Sequence, residues 1–180
     1  MSLSVVYVED TGHVVGAVAL TGASPGADVG SLAGAELPLR LALGSGNMST
    51  LSLPDKRLAA LAADDEPGVF AEPLSFGIEL GADGKPKPSL VRLAPWDKAF
   101  VLTADTLTVN LQQEATRITP IMVLLSGDPE THLFTGEIQA GAGSAGFQVS
   151  LTTGDEHAVL VLVEGQAGRF ETVTVTVKAQ

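Results

Sequence analysis

His157-Ala158-Val159-Leu160-Val161-Leu162-Val163-Glu164-Gly165-Gln166-Ala167-Gly168-Arg169-Phe170-Glu171-Thr172-Val173-Thr174-Val175-Thr176-Val177-Lys178 is the stretch that decides the fold. Ala158 to Val163 is apolar without a break, which suits a strand buried on both faces. Glu164 to Gly168 supplies turn residues. Beyond it Val173, Val175 and Val177 alternate with Thr172, Thr174 and Thr176. Successive side chains of a strand point to opposite faces, so this alternation predicts a half-buried strand. The two runs together predict a hairpin at the centre of an all-β fold.

Working outward, short strands separated by turns continue toward the N-terminus. Thr106–Leu111, Ile118–Leu125, Thr131–Ile138 and Phe147–Leu151 are candidate strands, with turn signals at Gly127-Asp128-Pro129, Ala140 to Gly146 and Thr153-Gly154-Asp155. Turns at intervals of roughly 8–12 residues are the mark of a β-sandwich. At the level of spacing, residues 97–180 are similar to immunoglobulin- and fibronectin-type domains, without their paired Cys or a strand Trp. Residues 1–80 read as a second β module. Leu3–Val8 and His13–Leu20 form one predicted hairpin. Leu37, Leu39, Leu41 and Leu43 mark a half-buried strand that returns over Met48–Leu53, and Leu74–Leu80 is a further strand. Residues 54–63 hold good helix formers and predict a short helix around Leu58 and Leu61. Thr21 to Gly34 reads as a loop with one helical turn. Residues 81–96, rich in Gly and Pro, read as a linker or crossover, and Trp96 beside Pro95 is expected to pack rather than to stack on a ligand. Both chain ends are expected to be tied down, by strands or by neighbouring subunits.

Composition narrows the function classes. The chain has 180 residues, of which 45% are hydrophobic but only 4% aromatic, so the apolar mass is Val, Leu and Ala. That suits packed sheets and does not suit a surface that stacks sugars or bases. Ten Lys and Arg face 21 Asp and Glu, for a net charge of −11. A phosphate backbone and an anionic membrane would both be repelled, so neither nucleic acid nor membrane is an expected partner. The absence of Cys excludes thiol chemistry and disulfides. Residues 1–10 lack a basic n-region and turn acidic at Glu9-Asp10, and no apolar run reaches the roughly 20 residues of a membrane helix. The expected compartment is the cytoplasm, with release as part of an assembly open.

Motif matches fail on their chemistry. Gly22-Ala23-Ser24-Pro25-Gly26 has the nucleophile-elbow spacing, but the residue after the Ser must donate its N–H to an oxyanion and Pro25 has none. Gly141-Ala142-Gly143-Ser144-Ala145-Gly146 has dinucleotide-fingerprint spacing, but a strand is expected to follow where a helix is required. Asp64-Asp65-Glu66 with Glu72 reads as a solvated acidic loop, and the Asn47-Met48-Ser49 sequon needs a secretory route to matter. His13, His132 and His157 open predicted strands. Asp128, Glu130 and His132 on one turn, and Asp155, Glu156 and His157 on another, would make a metal or calcium site if the two turns met at one end of the fold. No cofactor is expected. The expectation is a non-enzymatic structural or interaction protein, a subunit of a homo- or hetero-oligomer, for example a cap, baseplate, adaptor or decoration component of a phage-tail-like particle or shell. The alternatives are a β-sandwich module binding sugar or calcium at those two turns, and a hydrolase with a dispersed site.

Overall fold

The computed structural model describes residues 2–20, 28–80, 85–97, 100–127 and 130–177. The elbow-like Gly22–Gly26, Asp128 and the two chain ends at Met1 and 178–180 lie outside the described residues. The fold is all-β, built from several antiparallel sheets with one short helix and no closed barrel. Contacts divide the chain into two units. The first is Met1–Leu37, Ser52–Pro95 and Glu164–Gly168; the second is Pro38–Leu51, Trp96–Val163 and Arg169–Gln180.

In the first unit β1 (Ser2–Val8) pairs with β2 (Val14–Leu20) as the predicted hairpin, with a register shift between Val6 and Tyr7. Gly12 takes a φ of 73° in the connecting turn, a conformation that a Cβ would strain. On its other side β1 pairs with β5 (Leu58–Ala63), from Leu3 opposite Ala63 to Val8 opposite Leu58. The helix expected there is therefore a strand; only Asp55–Arg57 before it makes a 3-10 turn. Alanine's helix preference is worth a fraction of a kcal/mol per residue, about 0.7 at most against ordinary residues, so six ladder positions override it. The α1 helix (Val29–Ala33) starts at Asp28, whose carboxylate accepts from the Ser31 amide and hydroxyl and is held below its ordinary pKa by those bonds. Within the stretch read as a linker, Pro86–Arg92 forms β7, which pairs with β6 (Phe76–Leu80). Leu3, Val5, Val14, Val69, Phe76 and Ile78 make the core of this unit.

The second unit contains the tip of the β3–β4 hairpin (Glu36–Ala42 and Met48–Pro54) and two larger sheets. One sheet has the order β11-β10-β13-β14, from β10 (Thr119–Ser126), β11 (Thr131–Ile138), β13 (Glu156–Val163) and β14 (Arg169–Thr174). The other has the order β12-β9-β8, from β8 (Val101–Leu102), β9 (Thr106–Asn110) and β12 (Ser144–Gln148). Side chains from both meet in one core: Ile121, Val123, Leu125, Val159, Val161 and Val163 from the first, Leu102, Leu107 and Val109 from the second. Met122, Leu124, Leu160 and Leu162 on the opposite face of β10 and β13 are also fully withdrawn from water. The unbroken apolar run of β13 is thus buried on both faces, as its composition predicts.

The C-terminal alternation has a more complicated outcome. β14 follows β13 only to Thr174; Thr176 then bridges Thr103 and donates its amide to Leu102 O at 2.9 Å. Val175 is buried in the core, whereas Val177 is 77% exposed. β12 begins at Ser144, so the run of glycines opens a strand and not a helix. Trp96 is buried in the same core and donates its indole N–H to Asn110 O at 3.0 Å. Its carbonyl accepts from Arg169, which also pairs with Glu171.

Candidate functional site

An open groove of about 700 Å³ with a polar lining lies in the second unit at the start of β13. Its walls are the β3–β4 turn, including Ser45, Asn47 and Met48, the end of β10 at Ser126 and Gly127, and Asp155, Glu156 and His157. Long-range pairing brings these segments together. Ala158 N–H donates to Ser126 Oγ at 2.9 Å, which locks the end of β10 to the start of β13. The β3–β4 turn is tied down by the Ser45 amide, which donates to Glu156 Oε2 at 2.9 Å, and by Thr172 Oγ1, which donates to Ala42 O at 3.2 Å.

His157 is oriented by its backbone partner. Its Nδ1 lies 2.6 Å from Ser126 O, and a carbonyl can only accept, so Nδ1 carries the proton. Nε2 is enclosed and has no hydrogen-bond partner among the described residues. An imidazole anchored through Nδ1 is fixed in orientation, with Nε2 turned away from solvent. Leu125 is opposite both His132 on β11 and Val159 on β13, so the alternation of side chains puts His132 and His157 on one face of the sheet, on either side of β10. His132 is exposed, its Nε2 over Gly127, and it borders a separate apolar hollow with Phe134, Val149 and Leu151. Glu130 and Asp155 are exposed, and Glu156 is engaged by Ser45. Among the described residues no group of three or more His, Asp or Glu side chains converges as a metal site. Glu130, His132, Asp155, Glu156 and His157, the described members of the two turns, share an end of the sheet without converging on one point.

Two members of the 64–72 acidic cluster have structural work. Glu66 accepts from the Gly68 amide at 3.1 Å, capping a 3-10 turn, and Glu72 pairs with Arg92 at 3.0 Å on the surface. Asn47 sits exposed at the groove, with its carbonyl accepting from Leu43 N–H. Ser45 and Ser126 could not be singled out from sequence, because each enters the site only through a partner at least 31 positions away. No helix among the described residues is long and apolar enough to cross a membrane. No protein-family model matches the chain, and no curated protein matches it in sequence.

Proposed function

We propose that the protein is a non-enzymatic structural subunit that acts through its surfaces, joining other subunits at the free edge of β11. The second unit is read as an immunoglobulin- or fibronectin-like sandwich, on the support that two antiparallel sheets share one core. The observation that carries the functional reading is the edge itself. β11 is matched to β10 over eight residue pairs and to no other strand among the described residues. Its residues 132–137 contain neither Lys nor Pro, the usual protections of a solvent-facing edge. The opposite edge of the sheet, β14, is partly covered by the β3–β4 hairpin through the Thr172 bond. A mixed hollow of about 260 Å³ and a mainly apolar one of about 340 Å³ border β11 and β12 around the Phe134–Phe147 ring contact, where an added strand would place alternate side chains.

Native mass by size-exclusion chromatography with light scattering tests the reading, with the double variant Thr135→Lys, Glu137→Lys as the comparison. The expected result is a discrete oligomer or a captured partner that the variant loses while its melting temperature stays within a few degrees. A monomer at every concentration that also captures no partner removes the reading. The second reading, a ligand-binding module, rests on the groove at Asp155, Glu156 and His157. A calcium-dependent rise in melting temperature, abolished by Asp155→Asn, is its expected mark.

A further inference from the structure

Outside the groove, His13 is an ionisable group with no exposed surface. Its Nε2 lies 2.7 Å from Gln166 O and therefore carries the proton; its Nδ1 accepts from the Thr11 hydroxyl at 3.0 Å, and Thr11 is itself buried. Gln166 is in the middle of Glu164–Gly168, the five residues that connect β13 to β14 and group with the first unit. Within that unit three further backbone bonds hold the segment: Ala94 N–H to Gly165 O at 3.3 Å, Ala167 N–H to Ala94 O at 2.8 Å, and Gly168 N–H to Leu74 O at 2.7 Å. His13 adds to these backbone bonds a titratable side chain that holds the centre of the segment from the β1–β2 turn.

We propose that His13 is an acid-released clasp: neutral, it fastens the 164–168 segment to the β1–β2 turn, and its protonation favours the open state of that segment. Burial pushes the His13 pKa down to about 4, against the opposing pull of the Gln166 and Thr11 backbone carbonyls. The charged groups of the surrounding elements are engaged elsewhere or contribute nothing to this shift. Asp10 pairs with Arg57 at 3.0 Å, Glu79 pairs with Lys87 and Ser89, Glu164 has a partner of its own, and Glu9 acts on Tyr7. Among the described residues no carboxylate contributes to the His13 shift, so none offsets the burial of an imidazolium in the closed state. In the closed state Nδ1 would also have to become a donor, turning the Thr11 hydroxyl around. In the open state the ring returns to water and to a pKa near 6.5. The folded value is the lower one, so the open state binds more protons. The closed state is fully favoured above about pH 6.5 and loses that advantage as pH falls toward 4. The opening equilibrium of the segment should rise about 20-fold between pH 7 and pH 5.

Hydrogen exchange at the Ala167 and Gly168 amides, corrected for intrinsic rates, reads that equilibrium in the intact protein. The expected result is a rise of about 20-fold for these amides from pH 7 to pH 5, no matching rise in the β10–β13 ladder, and a flat profile in His13→Gln. An equal rise in His13→Gln, or an equal rise across the ladder, overturns the clasp. Should that variant not fold, the His13 ring titration followed by NMR in the wild-type protein decides. A midpoint near 4, with the segment's resonances changing alongside, supports the proposal. A midpoint near 6.5 with the segment unmoved overturns it.

Discussion

At Gly127 the chain has no room for a side chain. A Cβ there would run into the Glu130 carbonyl oxygen and come within 2.7 Å of His132 Nε2. The imidazole could swing aside, but the carbonyl belongs to the backbone of the β10–β11 turn. Gly127→Ala should therefore destabilise the protein by about 1–3 kcal/mol through overpacking, read as a lower denaturation midpoint at unchanged m. A variant as stable as the wild type would show that the turn relaxes freely. Little of this was legible in sequence. Gly127 reads as a turn residue beside Asp128-Pro129, whereas its requirement is space, set by the return of Glu130 and His132 on the next strand. The histidines show the same limit. All three sit near predicted strand starts, but only three-dimensional pairing separates the buried His13 from the anchored His157 and the exposed His132.

Among the elements, β13 is the one that local sequence announces best. Six consecutive apolar residues between a turn and Glu164-Gly165 leave few alternatives to a strand covered on both faces. Leu162 is fully buried, on the face opposite Val161 and Val163. Leu162→Ala should cost about 2–5 kcal/mol, whereas Thr174→Ala on the exposed end of β14 should stay within about 0.5. Equal costs in chemical denaturation would mean that β13 is not the centre of the folded state. β5 shows why other elements were harder to read. Leu58-Ala59-Ala60-Leu61-Ala62-Ala63 has no period-two contrast and favours a helix intrinsically, yet its ladder with β1 decides its state. β14 fails in a different way. Its Val–Thr alternation persists to Val177, but the partner changes after Thr174, and alternation marks which face is apolar without naming the neighbouring strand.

For the whole molecule the charge balance dominates. The ion pairs Arg57–Asp10, Lys87–Glu79, Arg92–Glu72 and Arg169–Glu171 join side chains that are exposed or half-exposed, and such pairs contribute little each. Lys87 and Ser89 hold the Glu79 carboxyl below its ordinary pKa, but at a surface where salt competes. Against these stands a net charge of −11 spread over 180 residues. Repulsion among excess carboxylates disfavours the compact state more than the expanded one. Salt screens both the attractive pairs and the net repulsion, so the sign of its effect shows which is larger. With 21 acidic against 10 basic residues, the excess should prevail. At pH 7.5 the melting temperature should therefore rise between 10 and 200 mM sodium chloride, by roughly a few degrees, since a contribution of about 1 kcal/mol moves Tm by 2–8 °C in domains of this size range. The comparison belongs at constant protein concentration, because any association through β11 would also be screened into closer approach. The Thr135→Lys, Glu137→Lys protein separates the two effects. A salt-dependent rise that survives in this variant reflects charge repulsion within the chain. One that disappears with the free edge reflects assembly. A fall in Tm with salt in both proteins would mean that the surface ion pairs outweigh the excess negative charge.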